Sequence, residues 1–284
     1  MHASPIFSSS RKLFCVPLGA VEWYDSPIVA KNGELPVHKL SIPPELIERV
    51  TKRAGRPHPF DTIEPAKTAL LIIDMQNYFM KPGFMGEVSH ARAIVPNVNR
   101  MAAALRERGG HVVWIRNATN GTRESWSVMH DHLMTPESRD LRYATMDIEH
   151  EGHALWSELD ARPEDGQIVK KRFSAFIDGS SDISPYLRDR GIDTLLIGGT
   201  ATNICCESSA RDAMMLNFKV TMVADALATY TDAEHNASLA TFYSIFGDVQ
   251  TVDEAIAALD RGASVAAARE VATAECPGEE RKAG

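Results

Sequence analysis

The run Thr68-Ala69-Leu70-Leu71-Ile72-Ile73, closed by Asp74, decides how this 284-residue chain folds. Its unbroken apolar stretch leaves no polar side, so a strand formed here must be covered by other elements on both faces. Downstream the pattern alternates. Spacing and turn residues predict a helix over 95–108 ended by Gly109-Gly110, a strand over 111–115, and part of a helix over 155–159. A strand over 167–169, a helix over 183–190 ended by Gly191 and a strand over 194–197 come next. The series closes with a helix over 203–216, a strand over 220–223, a helix over 233–245, a short strand over 249–252 and a helix over 254–259. Alternation at these lengths implies βαβ units: an α/β protein of three α/β/α layers on a mostly parallel sheet of about six strands.

Upstream of Thr68 the character differs. Residues 1–62 carry Pro5, Pro17, Pro27, Pro36, Pro43, Pro44, Pro57 and Pro59, little periodicity, and one helix-like piece over 44–50. They are expected to form an N-terminal extension, an arm ordered by lying on the body of its own or a neighbouring subunit rather than by forming a core. The core domain is expected over 63–261. The Ala-rich and then charged residues 262–284 are expected to form a loosely held helix or frayed tail.

A 44% hydrophobic, 24% charged composition excludes wholesale disorder. The net charge of −8, with no dense basic run, argues against nucleic acid as a partner. No run approaches the roughly 18 apolar residues of a membrane span, so no membrane partner is expected. Cys15, Cys205, Cys206 and Cys276 are too few and too irregular for a disulfide framework or a zinc site. The stretch from Leu13 to Val21 follows Arg11 and Lys12 like a signal sequence, but Pro17 interrupts it and no convincing cleavage site precedes Glu22. A cytoplasmic location is the expectation.

In an open α/β sheet ligands gather beyond the carboxyl ends of the strands. Asp74 ends the first strand, Lys170 ends Gln167-Ile168-Val169, and Cys205 follows a short loop after Leu195-Leu196-Ile197. Each alone has an ordinary explanation as a turn carboxylate, an exposed lysine or a buried thiol. Helical spacing separates Cys205 from Cys206: the positions three, four and seven beyond Cys205 are Ser208, Ser209 and Asp212, all polar, while those beyond Cys206 include Ala210 and Ala213. Cys206 is therefore expected in the core. Cys205 is expected on the polar side of a first helical turn, where the dipole favours thiolate, and the Gly-Gly-Thr-Ala approach lets the amides of Ala201 and Cys205 point at an oxyanion.

Asp74-Met75-Gln76, Lys170-Lys171-Arg172-Phe173-Ser174-Ala175-Phe176 and Thr200-Ala201-Thr202-Asn203-Ile204-Cys205-Cys206-Glu207-Ser208, in that order, resemble the isochorismatase-like cysteine hydrolases. The wording around Cys205 is most similar to the branch that includes ureidoacrylate amidohydrolase, with biuret and carbamoyl-amide hydrolases as further relatives. The resemblance implies an Asp74–Lys170–Cys205 triad, with Lys170 selected over Lys171 by its place three residues before Phe173. It also implies a non-proline cis peptide at Thr200-Ala201 and a homodimer or homotetramer. The expected activity is hydrolysis of a small amide or ureide by a cysteine nucleophile through a thioester, without a cofactor.

Nicotinamidases of the family carry an Asp-x-His-x-x-His metal set. His130, His132, His150 and His153 do not fall in that frame, so no metal is expected. Gln76, Phe79, Asn117, Trp126 and Phe176 are candidates for contacting substrate. The competing possibilities are a catalytically idle binding protein on the same fold, a hydrolase of another small amide, and a redox pair at Cys205 and Cys206. A vicinal bridge on a helix would be strained.

Overall fold

The structure, a computed structural model, describes residues 36–275. In chain order its elements are α1 (Pro44–Ala54), β1 (Thr68–Ile73), α2 (Asn77–Met80), α3 (Val95–Glu107), β2 (His111–Asn117), α4 (Pro136–Thr145) and β3 (Gly166–Lys170). There follow α5 (Ile183–Arg188), β4 (Thr194–Thr200), α6 (Glu207–Met215), β5 (Lys219–Ala228), α7 (Asp232–Ile245), β6 (Asp248–Gln250) and α8 (Val252–Glu275). The six strands form one sheet in the order β3-β2-β1-β4-β5-β6, and every neighbouring pair is parallel. This is the three-layer α/β/α architecture implied by the alternation.

The apolar run of β1 explains the layering. Successive strand side chains face opposite ways. Ala69, Leu71 and Ile73 enter one apolar cluster with Leu46 and Val50 of α1, Leu187 of α5, Ala213 of α6 and Phe242 of α7. Leu70 and Ile72 enter the other with Val98 and Leu105 of α3 and Leu259 of α8. Each buried Leu or Ile contributes about 1.5–3 kcal/mol, so β1 needs both helical layers.

The chain leaves β1 towards β2 and β3 and later returns on the other side of β1 to lay down β4. Between β1 and β4 the sheet reverses direction of growth, and a crevice opens beyond their carboxyl ends. Two backbone features shape it. Asp74 has a φ of 57°, a left-handed conformation that Asp tolerates better than most residues. Gly199 has a φ of 110°, and a Cβ there would stand 2.1 Å from the Ile73 carbonyl oxygen, so the close approach of β4 to β1 requires glycine.

The structure corrects two expectations. Residues 155–159 are not helical; Leu155 instead makes an antiparallel bridge to Gln76. The helix expected over 203–216 is two pieces, a π-turn from Thr202 to Cys206 and then α6. The described part of the arm lies on the body of its own chain, with Leu46 7% exposed and Val50 fully buried against it. His38 fastens this segment to the start of α7 and the turn before it, with Nδ1 2.6 Å from Asp232 Oδ1 and Nε2 accepting from the Thr229 amide at 3.0 Å. Cys15 and most of the proline-rich arm lie outside the described residues, as do Cys276 and the end of the tail.

Candidate active site

Asp74, Lys170 and Cys205, 96 and 35 residues apart along the chain, meet at the crevice because β1, β3 and β4 all end there. Lys170 Nζ lies 2.9 Å from Asp74 Oδ2 and 3.4 Å from Cys205 Sγ. It also donates to the Arg172 carbonyl at 3.0 Å. Asp74 and Lys170 have no exposed surface and Cys205 is 4% exposed. Burying a lysine and a carboxylate together is tolerable only because each is the other's counter-ion. The neighbouring Lys171 is exposed, as the two-residue strand period requires.

The three groups fix each other's protonation. Burial pushes the Asp74 carboxyl above the usual carboxylate range against the lowering effect of Lys170. Burial opposes the charged form of Lys170, but the Asp74 carboxylate beside it raises the ammonium. Burial, reinforced by the Asp74 charge, pushes the Cys205 thiol up to about 12, with Lys170 opposing. The shift runs opposite to a thiolate favoured by a helix terminus: burial holds the thiol protonated, with the Asp74 carboxyl beside it.

The Thr200–Ala201 peptide is cis, and Ala201 and Cys205 both line a cavity of about 210 Å³. Its walls include Tyr78, Phe79, Asn117, Arg142, Phe173 and Tyr230. The volume lies below the range typical of drug-sized ligands, so the occupant is small. A more open concavity of about 350 Å³ lies at the amino ends of β2 and β3, near Gly110 and Gly166, the wrong end of a parallel sheet for chemistry. Cys206, fully buried with Sγ 4.0 Å from the Gly198 carbonyl oxygen, belongs to the packing beneath the turn.

Of the candidate contacts, Phe79 and Asn117 line the cavity and three do not. Gln76 is a backbone cross-link: its Nε2 donates to the carbonyls of Asn117 and His153 at 3.1 and 3.3 Å, and its Oε1 accepts from the Asn117 amide at 2.6 Å. Trp126 stands behind the wall, edge-on to Phe173 with ring centroids 4.8 Å apart. Phe176 is a core residue tilted against Phe218. Phe173, three residues earlier, takes the place expected of Phe176. Tyr230, two residues beyond β5, was reachable by the strand-end argument that found Asp74. Arg142 carried no such signal. Among the described residues, no three His, Cys, Asp or Glu side chains are grouped to hold a metal ion.

The isochorismatase domain model matches residues 68–254. The chain belongs to the isochorismatase family. This isochorismatase-family hydrolase is 30% identical over 232 residues to the ureidoacrylate amidohydrolase RutB of Agrobacterium fabrum, covering 74% of its own length and 97% of the relative. It is 32% identical over 189 residues to a probable inactive nicotinamidase of Arabidopsis thaliana, covering 66% and 93%. Among solved structures it resembles a cysteine hydrolase from Pseudomonas syringae pv. phaseolicola, with a TM-score of 0.64, 26% identity, and coverage of 70% and 95%. The matched region begins at β1, after α1.

Proposed function

We propose that the chain is a cysteine-dependent amidohydrolase that cleaves the C–N bond of a small ureido or carbamoyl compound through a thioester on Cys205. The observation that carries this is the buried Lys170 ammonium between Asp74 and the Cys205 sulfur on the floor of the small cavity. A structural ion pair alone has no need of a thiol at its side, whereas nucleophilic catalysis needs a nucleophile, a base and a group that orients both. The similarity to ureidoacrylate amidohydrolase supports a ureide as the substrate class.

In this mechanism the thiol proton moves to Asp74 as Cys205 attacks the substrate carbonyl carbon. The raised pKa of Asp74 makes it a better base than an ordinary carboxylate. Lys170 balances the charge that the transfer leaves on sulfur. The amides of Ala201 and Cys205 hold the tetrahedral oxyanion. Collapse breaks the C–N bond, and Asp74 returns its proton to the departing nitrogen. A water then gives a proton to Asp74 as its oxygen attacks the thioester carbonyl. The C–S bond breaks, and the sulfur recovers its proton.

The test is ammonia or amine release from a panel of ureas, carbamoyl amides and aryl amides by the wild type and by Cys205→Ala. Turnover of a ureido or carbamoyl compound that vanishes in the variant is the expected result. Turnover that survives in Cys205→Ala contradicts the proposal.

A further inference from the structure

The cavity above Cys205 contains a cation that this chemistry does not use. Arg142 reaches the cavity from α4 and is 7% exposed. Among the described residues it forms no ion pair, and its buried Nε has no hydrogen-bond partner. Its guanidinium carbon stands 5.7 Å from the centroid of the Tyr78 ring, which holds the group against the wall without neutralising it. The contrast with Arg106 is direct. That side chain, 11% exposed, is bound by Asp160 at 2.9 Å and by Asp165 at 2.6 Å. The fold thus supplies two carboxylates to Arg106 and none to the more deeply buried Arg142.

The walls of the cavity contain no acidic residue, and the nearest buried carboxylate, Asp74, is already paired with Lys170. Lys170 and Asp74 balance each other, so Arg142 stands in a cavity whose lining offers it no opposite charge. A buried cation without a counter-ion is costly, and an anion brought by the ligand removes that cost. A guanidinium presents parallel N–H groups that match the two oxygens of a carboxylate.

We propose that Arg142 is a specificity-determining residue that binds a carboxylate on the substrate, so that the compound cleaved is a short ureido or carbamoyl acid. The reacting end of that statement rests on the amidohydrolase proposal; the anion site does not. With Arg142 and Cys205 lining the same cavity of about 210 Å³, the carboxylate and the scissile carbonyl must be joined by only a short spacer.

The experiment has two arms. The first compares a short ureido acid with its neutral carboxamide in the wild type, Arg142→Gln and Arg142→Lys. The wild type should prefer the acid in kcat/KM, and Arg142→Gln should lower that preference by about 30-fold or more, mainly through KM, as expected for loss of a buried charged contact. Arg142→Lys, which keeps the charge and loses the fork, should recover part of it. Equal losses on acid and amide, with a moved acid limb of the pH profile, would instead make Arg142 a support for Asp74 and overturn the proposal.

The second arm needs no substrate. It measures alkylation of Cys205 by anionic iodoacetate and neutral iodoacetamide, with glutathione as the reference thiol. The iodoacetate-to-iodoacetamide rate ratio should exceed that of glutathione in the wild type and fall in Arg142→Gln. A wild-type ratio at or below that of glutathione overturns the anion site, whether or not any variant folds. Selective alkylation without turnover of either substrate would sustain the anion site and refute the amidohydrolase proposal.

Discussion

At Cys205 and Cys206 two adjacent thiols have opposite surroundings. Cys205 touches Lys170 and the cavity, while Cys206 touches the Gly198 carbonyl and apolar packing. Cys205→Ser is expected to abolish turnover with little change in Tm. Cys206→Ser should keep much of the activity but lose about 1–3 kcal/mol, because it places a hydroxyl where no close acceptor waits. Denaturant titration and a turnover assay on both variants check this, and the reverse pattern would exchange the two roles. The lysines separate in the same way. Lys170→Met leaves Asp74 buried without its cation and should cost about 3–5 kcal/mol as well as activity, whereas Lys171→Ala should stay within about 0.5 kcal/mol of wild type. The burial that raises Asp74 also sets the pH profile. In the proposed mechanism Asp74 must be ionised, so the acid limb of kcat/KM should fall off at a pH above the ordinary carboxylate range, not within it. The three positions that meet at the crevice are legible because each follows an apolar strand run. Arg142 is not, because a lone arginine on a polar helix has no sequence signature.

At the scale of elements, the strands were readable wherever an apolar run was continuous, and α3 and α7 wherever periodicity or a cap was clear. Thr231, for instance, caps α7 by accepting from the Glu234 amide at 3.2 Å. α4 escaped for a physical reason. Its buried residue is Arg142 and its Leu141 is 49% exposed, so its pattern is the inverse of an amphipathic core helix. The π-turn escaped because Thr202–Cys206 has helical composition, and only tertiary packing distinguishes a wide turn from an α-turn there. The sequence of α1 shows a helix but not how deeply it beds into the body, since its two buried residues, Leu46 and Val50, lie among charged neighbours. A chain lacking residues 1–55 should therefore lose several kcal/mol of stability, and Leu46→Ala alone about 2–5 kcal/mol. Thermal unfolding measures both. An unchanged Tm in the truncated chain would mean that α1 lies on the core without supporting it.

For the whole molecule, the parallel order β3-β2-β1-β4-β5-β6 concentrates chemistry at one end of the sheet and leaves stability to the rest. That stability has a pH signature. Burial lowers His38, lowers His235 to about 3 and lowers His153 to about 4. A histidine whose folded pKa is depressed stabilises the fold above its unfolded value and is lost as pH falls towards the folded one. Stability should thus decline from about pH 6.5 downward, ahead of the titration of ordinary carboxylates, and His235→Gln should flatten that decline. His58 runs the other way, raised by Asp248, and offsets only part of it.

The central claim is that Asp74, Lys170 and Cys205 act together to form a thioester. Its most direct test is rapid acid quench of the wild type during turnover of a short ureido acid, followed by peptide mass spectrometry. The account predicts one substrate-derived acyl or carbamoyl group on the peptide holding Cys205 and Cys206, located by fragmentation on Cys205 and absent from Cys205→Ala. Turnover with no adduct at any quench time, or an adduct on Cys206, would contradict it.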